Sequence, residues 1–127
     1  GKDVTLFGTG MMTAFCMKAA ELLEQEGVNV EVIHLASIKP IDRELIASSA
    51  GKTGCAVSAE NASIVGGFGS AVAEVLAETV PVPLARIGIR DCFVNSGGIG
   101  DLFRIHGMLP DDIVREAQTV MAKKTKR

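Results

Sequence analysis

No run of apolar residues in this sequence approaches the about 20 that a membrane-crossing helix needs. The opening Gly1-Lys2-Asp3-Val4 also lacks the basic-then-apolar plan of a signal peptide. Positive charge is not in excess: 13 Lys and Arg against 15 Asp and Glu leave a formal net charge of -2, without general attraction for a phosphate backbone. Nucleic acid and membrane are therefore not expected partners. Cysteine is scarce, and Cys16, Cys55 and Cys92 lie far apart in apolar surroundings with no Cys-x-x-Cys pair. That usage fits a reducing compartment and predicts buried, inert thiols. The expectation is a soluble, cytoplasmic protein.

Catalytic patterns are equally thin. There is no Gly-Lys-Ser/Thr phosphate loop, Ser58 and Ser63 lack a nucleophile-elbow context, and only two histidines could serve as a base. His34 falls in an apolar strand pattern and His106 before a glycine, neither with a Cys or carboxylate at metal-ligand spacing, so structural roles are predicted for both. No acid, base and nucleophile come together.

What is present suits one domain over residues 1–127. A chain of 127 residues with 47% hydrophobic content and 14 glycines can form a core, burying roughly two thirds of its unfolded surface. Strands are expected at 3–7, 28–35, 55–59 and 84–89, with helices between them. The first helix presents Met12, Phe15, Ala19, Leu22 and Leu23 on one face and stops at Gly27. Asp42 is the expected N-cap of a second helix containing Leu45, Ile46 and Ala47, with Gly51 and Gly54 bracketing the turn out. After 90 no strand is expected, only a helix over 99–105 ending at Gly107. A last helix then follows, opened by Pro110, Asp111 and Asp112, with an apolar stripe of Ile113, Val114, Ala117, Val120 and Met121. Lys123, Lys124, Lys126 and Arg127 read as a solvated tail. Alternating strands and helices imply a mainly parallel sheet between two helical layers.

Candidate site residues gather where such sheets place ligands, beyond the carboxyl ends of the strands. Gly8, Thr9 and Gly10 follow the first strand, with Thr13 where a dinucleotide fingerprint has its third small residue. No carboxylate near His34 and Leu35 is positioned to hold a ribose. Glu60 and Asn61 end the third strand, and Gly66, Gly67, Phe68 and Gly69 lead into the next helix. That glycine run serves either as a tight corner under close packing or as an anion site at a helix N-terminus. Arg86 and Arg90 flank the end of the fourth strand, next to Asp91, and fit an ion pair, a subunit contact or an anion contact.

Several stretches taken in order resemble one family. They are Asp3-Val4-Thr5-Leu6-Phe7-Gly8-Thr9-Gly10, Ile38-Lys39-Pro40-Ile41-Asp42, Glu60-Asn61 with Gly66-Gly67-Phe68-Gly69-Ser70-Ala71, Arg86-Ile87-Gly88 and Asp91-Cys92-Phe93. The likeness continues through Leu102-Phe103, His106-Gly107 and Asp111-Asp112-Ile113, nearly the whole chain. It is to the C-terminal domain of thiamine-diphosphate enzymes of the transketolase group, especially two-piece transketolases and 1-deoxyxylulose-5-phosphate synthase.

The resemblance implies a three-layer α/β/α fold with four parallel strands in the order 2-1-3-4. The family's antiparallel first strand would precede Gly1, leaving the second strand as an uncovered edge. It also implies a non-catalytic module for domain packing and dimer assembly, with thiamine diphosphate and magnesium held by N-terminal cofactor-binding and pyrimidine-binding domains or subunits. The complete enzyme would be a homodimer moving a ketol unit between sugar phosphates. On that basis no catalytic, cofactor or metal residue is expected in this chain; Gly8, Thr9, Gly10, Glu60, Asn61, Gly66, Gly67, Phe68, Arg86 and Arg90 are a candidate crevice or interface. The alternatives are a 2-oxo-acid dehydrogenase beta subunit docking an acyltransferase, and a free-standing nucleotide-binding module.

Overall fold

The computed structural model describes residues 2–35, 41–63, 67–89 and 107–124, with 61–63 and 89 as backbone only. The expected β-prone runs form β1 (Val4–Gly8), β2 (Val30–His34), β3 (Ala56–Ser63) and β4 (Leu84–Ile89). Between and after them lie α1 (Met12–Glu24), α2 (Arg43–Thr53), α3 (Phe68–Glu78) and α4 (Pro110–Ala122). All strand pairs are parallel and the order is β2-β1-β3-β4, as the family resemblance implies. The expected helix at 99–105, together with Cys92, His106, Lys126 and Arg127, lies outside the described residues. None of the described helices is long and apolar enough to cross a membrane.

Strand alternation divides the core into two halves. Val4, Leu6, Val57, Ala59 and Ile87 pack with Met12, Cys16, Leu23, Ile113 and Ala117, so α1 and α4 cover one face. Phe7, Ala56 and Ile33 pack with Ile46, Ala50, Phe68, Val72 and Leu76, so α2 and α3 cover the other. The buried face of α1 differs from the expected one. Cys16 and Ala20 turn fully inward, whereas Phe15 and Leu22 stay half-buried at its flanks. Small side chains let the helix axis approach the sheet, which the apolar spacing alone does not report.

The helix ends follow local chemistry. Gly27, at φ +82°, donates to the Glu24 carbonyl and Val28 to the Leu23 carbonyl, the paired closing bonds of a Schellman stop. The Asp42 carboxylate accepts the Leu45 N–H at 3.1 Å, as an N-cap should. Gly54, at φ +84°, ends α2, but Gly51 lies inside that helix rather than in the turn. It packs against Val80 there, where a Cβ would meet Cγ2 at 3.6 Å. At α4, Pro110 begins the helix and Asp112 accepts the Leu109 N–H at 2.9 Å. Lys124 is not in a solvated tail: its half-buried stem lies over Gly54, 3.6 Å from where a Cβ would stand.

A buried polar thread joins three elements in a way the apolar pattern does not show. Thr5, on β1, lies 2.9 Å from the Ser49 hydroxyl and 2.7 Å from that of Thr53, both on α2. Thr53 also donates to the Cys55 carbonyl at 3.0 Å, and Ser49 donates to Glu31 on β2. Lys52 and then Ser49 hold the Glu31 carboxyl below its usual range. Each hydroxyl is both donor and acceptor, so the thread satisfies groups that burial would otherwise penalise. Thr5→Val keeps the shape but removes the hydroxyl that both α2 hydroxyls meet, leaving each with only its remaining bonds; losing the two bonds should lower the unfolding free energy by about 1–3 kcal/mol. Urea denaturation, read as a shift in midpoint at constant slope, measures this.

Candidate functional site

In this strand order the chain leaves β1 through α1 on one face and returns to β3 through α2 on the other. The order therefore reverses between β1 and β3, whose carboxyl ends carry Gly8-Thr9-Gly10 and Glu60. A crevice at this point is where a ligand would be sought first.

The backbone at the end of β1 is already engaged. The Gly8 carbonyl accepts the Leu35 N–H at 2.9 Å, and the Thr9 N–H donates to the Ala59 carbonyl at 3.3 Å. Thr9 and Gly10 carbonyls accept from Met12 and Thr13, closing the first turn of α1. Gly8 is required by packing: a Cβ there would stand 2.9 Å from the Thr13 Cα and 3.2 Å from the Cys16 Sγ. Gly10 has φ +57° with open space around it, so its need is conformational. Thr13 meets the exposed His34 at 2.6 Å, Oγ1 to Nδ1, joining α1 to the end of β2. The dinucleotide reading weakens here, because the Thr9 N–H that would face a pyrophosphate points to β3.

Glu60 is the buried charge of the region. Its β3 strand runs to Ser63 rather than stopping at 59, which carries the side chain inward at 1% exposure. Oε2 accepts the Gly69 N–H at 2.6 Å, and the carboxylate also accepts the Phe68 N–H. Gly67, the N-cap of α3, has no side chain, so Glu60 caps this helix from the neighbouring strand. The anion expected of the glycine run is thus supplied by the chain itself. Burial pushes the Glu60 carboxyl up, against the pull of the two N–H groups and of Arg86. Among the described residues, Oε1 of Glu60 and Oγ of Ser58 have no hydrogen-bond partner.

Gly69 permits this approach. A Cβ on it would stand 2.8 Å from the Ser58 Oγ and 3.2 Å from Cγ and Cδ of Arg86. Arg86 sits inside β4, not at its end, and donates to the Ser70 hydroxyl at 3.3 Å. The structure therefore gathers Glu60, Gly67, Phe68 and Arg86 at one helix start and leaves Gly8, Thr9 and Gly10 at the adjoining strand end. Asn61 is backbone only, and Gly66 and Arg90 lie outside the described residues. Sequence reading placed Ser58 in the third strand without a role beside α3, and missed Gly69's contact role and the Thr13–His34 pair, none of which has a local signal.

The thiols are quiet. Burial pushes Cys16 up to about 12 and Cys55 up to about 11, so neither is a nucleophile at neutral pH. Among the described residues no three His, Cys, Asp or Glu side chains gather to hold a metal ion.

Comparison with known proteins gives a consistent picture. Residues 1–113 match the family model described as "Transketolase, C-terminal domain". A 6-deoxy-6-sulfo-D-fructose transketolase subunit of a Clostridium species is 46% identical over 127 residues, covering 100% of this chain and 39% of the relative. The 1-deoxy-D-xylulose-5-phosphate synthase of Heliobacterium modesticaldum is 39% identical over 119 residues, 93% of this chain and 18% of the synthase. A solved split-gene transketolase, described as an inactive beta4 tetramer, superposes with a TM-score of 0.94 at 45% identity, covering 98% of this chain and 41% of that one. The chain thus spans less than half the length of each of these relatives.

Proposed function

Because the chain belongs to the transketolase C-terminal domain family, we propose that it serves a transketolase-type enzyme as a non-catalytic module for domain packing and dimer assembly. Its domain spans 1–127, and its partners are N-terminal cofactor-binding and pyrimidine-binding domains or subunits of the same cytoplasmic enzyme. Those partners hold thiamine diphosphate and magnesium; the complete homodimer transfers a ketol unit between sugar phosphates. The supporting observation is Glu60: the one buried carboxylate among the described residues caps the chain's own helix instead of facing a substrate.

The carboxyl-end face with Gly8, Thr9, Gly10, Glu60, Asn61, Gly66, Gly67, Phe68, Arg86 and Arg90 is, in this reading, the side that seats against the other domains. Closed backbone bonding at Gly8 and Thr9 supports a firm packing face over a ligand cradle. The relatives reported above are a transketolase subunit, a split-gene transketolase and a 1-deoxy-D-xylulose-5-phosphate synthase, which favours this parentage over a 2-oxo-acid dehydrogenase.

Reconstitution tests it. With thiamine diphosphate, magnesium and a ketose phosphate donor, the chain alone should give no turnover. Titrated into the cofactor-binding part of the enzyme, it should raise turnover until the two are equimolar. Robust turnover by the chain alone would refute the proposal.

A further inference from the structure

Oε1 of Glu60 and Oγ of Ser58, both beneath the start of α3, are buried and have no hydrogen-bond partner among the described residues. Ser58 is 0% exposed and Glu60 1%, so bulk solvent does not serve them. A polar atom buried without a partner carries its desolvation cost uncompensated. In folded proteins such atoms are met by another group or by an enclosed water. The capping bonds to α3 use only the other side of the Glu60 carboxyl, since the Gly69 N–H donates to Oε2 at 2.6 Å.

The two side chains flank one residue. Ser58 and Glu60 alternate with Ala59 along β3, so both turn to the α3 side of the sheet. Gly69 takes the Glu60 carboxylate at its N–H, and a Cβ on it would stand 2.8 Å from the Ser58 Oγ. Oε1 and Oγ nevertheless form no hydrogen bond with each other. In the adjoining strands Phe7 and Arg86 stand in register with Ser58. The Phe7 ring brings no polar atom, and Arg86 carries its stem past Gly69 to reach Ser70. Charge decides what suits the two atoms. The start of α3 and the Arg86 guanidinium are both positive and disfavour a cation, while the Glu60 carboxylate disfavours an anion. An apolar group would leave both atoms unmet. A small neutral molecule that donates to Oε1, and either donates to the Ser58 hydroxyl or accepts from it, satisfies both.

We propose that one water molecule, enclosed under the first turn of α3, bridges Glu60 Oε1 to Ser58 Oγ. It extends the cap from a contact between one carboxylate and two N–H groups into a network that ties β3 to α3 at two points. The absence of a side chain at Gly69 keeps its place open. Such a water leaves only when the first turn of α3 lifts, so its residence time reports how firmly that helix start is held. The site goes beyond the assembly reading above and does not depend on it.

High-resolution crystallography of the unaltered chain provides the first test. The map should show one ordered water within about 2.6–3.2 Å of both Oε1 and Oγ. No water there, or the two atoms bonded to each other or to another side chain, would overturn the site. Magnetic relaxation dispersion of water oxygen-17 provides the second, in solution. Ser58→Ala removes one of the two bridging bonds and should shorten the residence of one long-lived water about tenfold or more. Glu60→Gln keeps a polar atom on each arm of the side chain and should retain that water. A dispersion unchanged by Ser58→Ala would overturn the site, and so would loss of the same water in a folded Glu60→Gln chain. Should a variant fail to fold, the crystal result on the unaltered chain decides by itself. Either failure leaves the assembly role standing, since reconstitution tests that separately.

Discussion

Replacing Glu60 by alanine should lower the unfolding free energy by about 2–4 kcal/mol, while replacing it by glutamine should cost far less. Alanine opens a cavity beneath α3 and leaves the Gly69 and Phe68 N–H groups without the acceptor they have now. Glutamine keeps a carbonyl oxygen for those donors and fills the same space. The two variants also separate by pH. Because burial raises the Glu60 carboxyl, the folded state binds its proton more tightly than the unfolded state. Its contribution is therefore fully present below the ordinary glutamate range and is lost as pH rises through the folded value. Glu60→Gln removes that loss and should flatten the stability profile on this segment. Urea midpoints at a series of pH values measure both effects; equal losses for alanine and glutamine would show that the cap is unimportant.

The second large effect is expected at Gly8. A methyl group there would press on the Thr13 backbone, which cannot rotate away as a side chain tip could, so α1 must lift from β1. Overpacking of this kind costs about 1–3 kcal/mol. Gly10→Ala meets no atom within 4 Å and should carry only the strain of its left-handed backbone, about 1–2 kcal/mol. Gly8→Ala should also speed amide exchange in the first turns of α1, while Gly10→Ala should not. Were Gly8 present to admit a pyrophosphate, its alanine variant would fold with unchanged stability. The comparison thus decides between a packing glycine and a cofactor glycine at the same motif.

Periodicity made the layers legible. Hydrophobic runs of strand length separated by helical stripes lead to a parallel sheet between helical layers, while the order β2-β1-β3-β4 comes from the family resemblance; Asp42, Gly27, Gly54 and Pro110 mark helix ends through chemistry that acts within one turn. The misses share another origin. Gly51 reads as a turn residue, yet α2 runs through it because Val80 packs on that spot and tertiary contact outweighs glycine's weak local preference. Ala20 looks peripheral beside Phe15 and Leu22, yet small residues are what a helix close to a sheet requires; the buried thiol of Cys16 was expected.

The site was legible as a location and not as an arrangement. Glu60, Gly67 and Phe68 were picked out by composition, but which N–H groups the carboxylate would meet depends on how β3 and α3 come together. The Thr5, Ser49 and Thr53 thread is invisible to any local reading, since its members are 44 and 48 residues apart. Arg86 reads, with Arg90, as flanking the end of the fourth strand; it lies within β4 and is held over the start of α3, near Ser70.

Calorimetric titration of thiamine diphosphate with magnesium, into the chain alone and into its mixture with the cofactor-binding part, tests the assembly role most directly. The account predicts no binding heat from the chain alone and saturable binding in the mixture. Stoichiometric binding by the chain alone would contradict it.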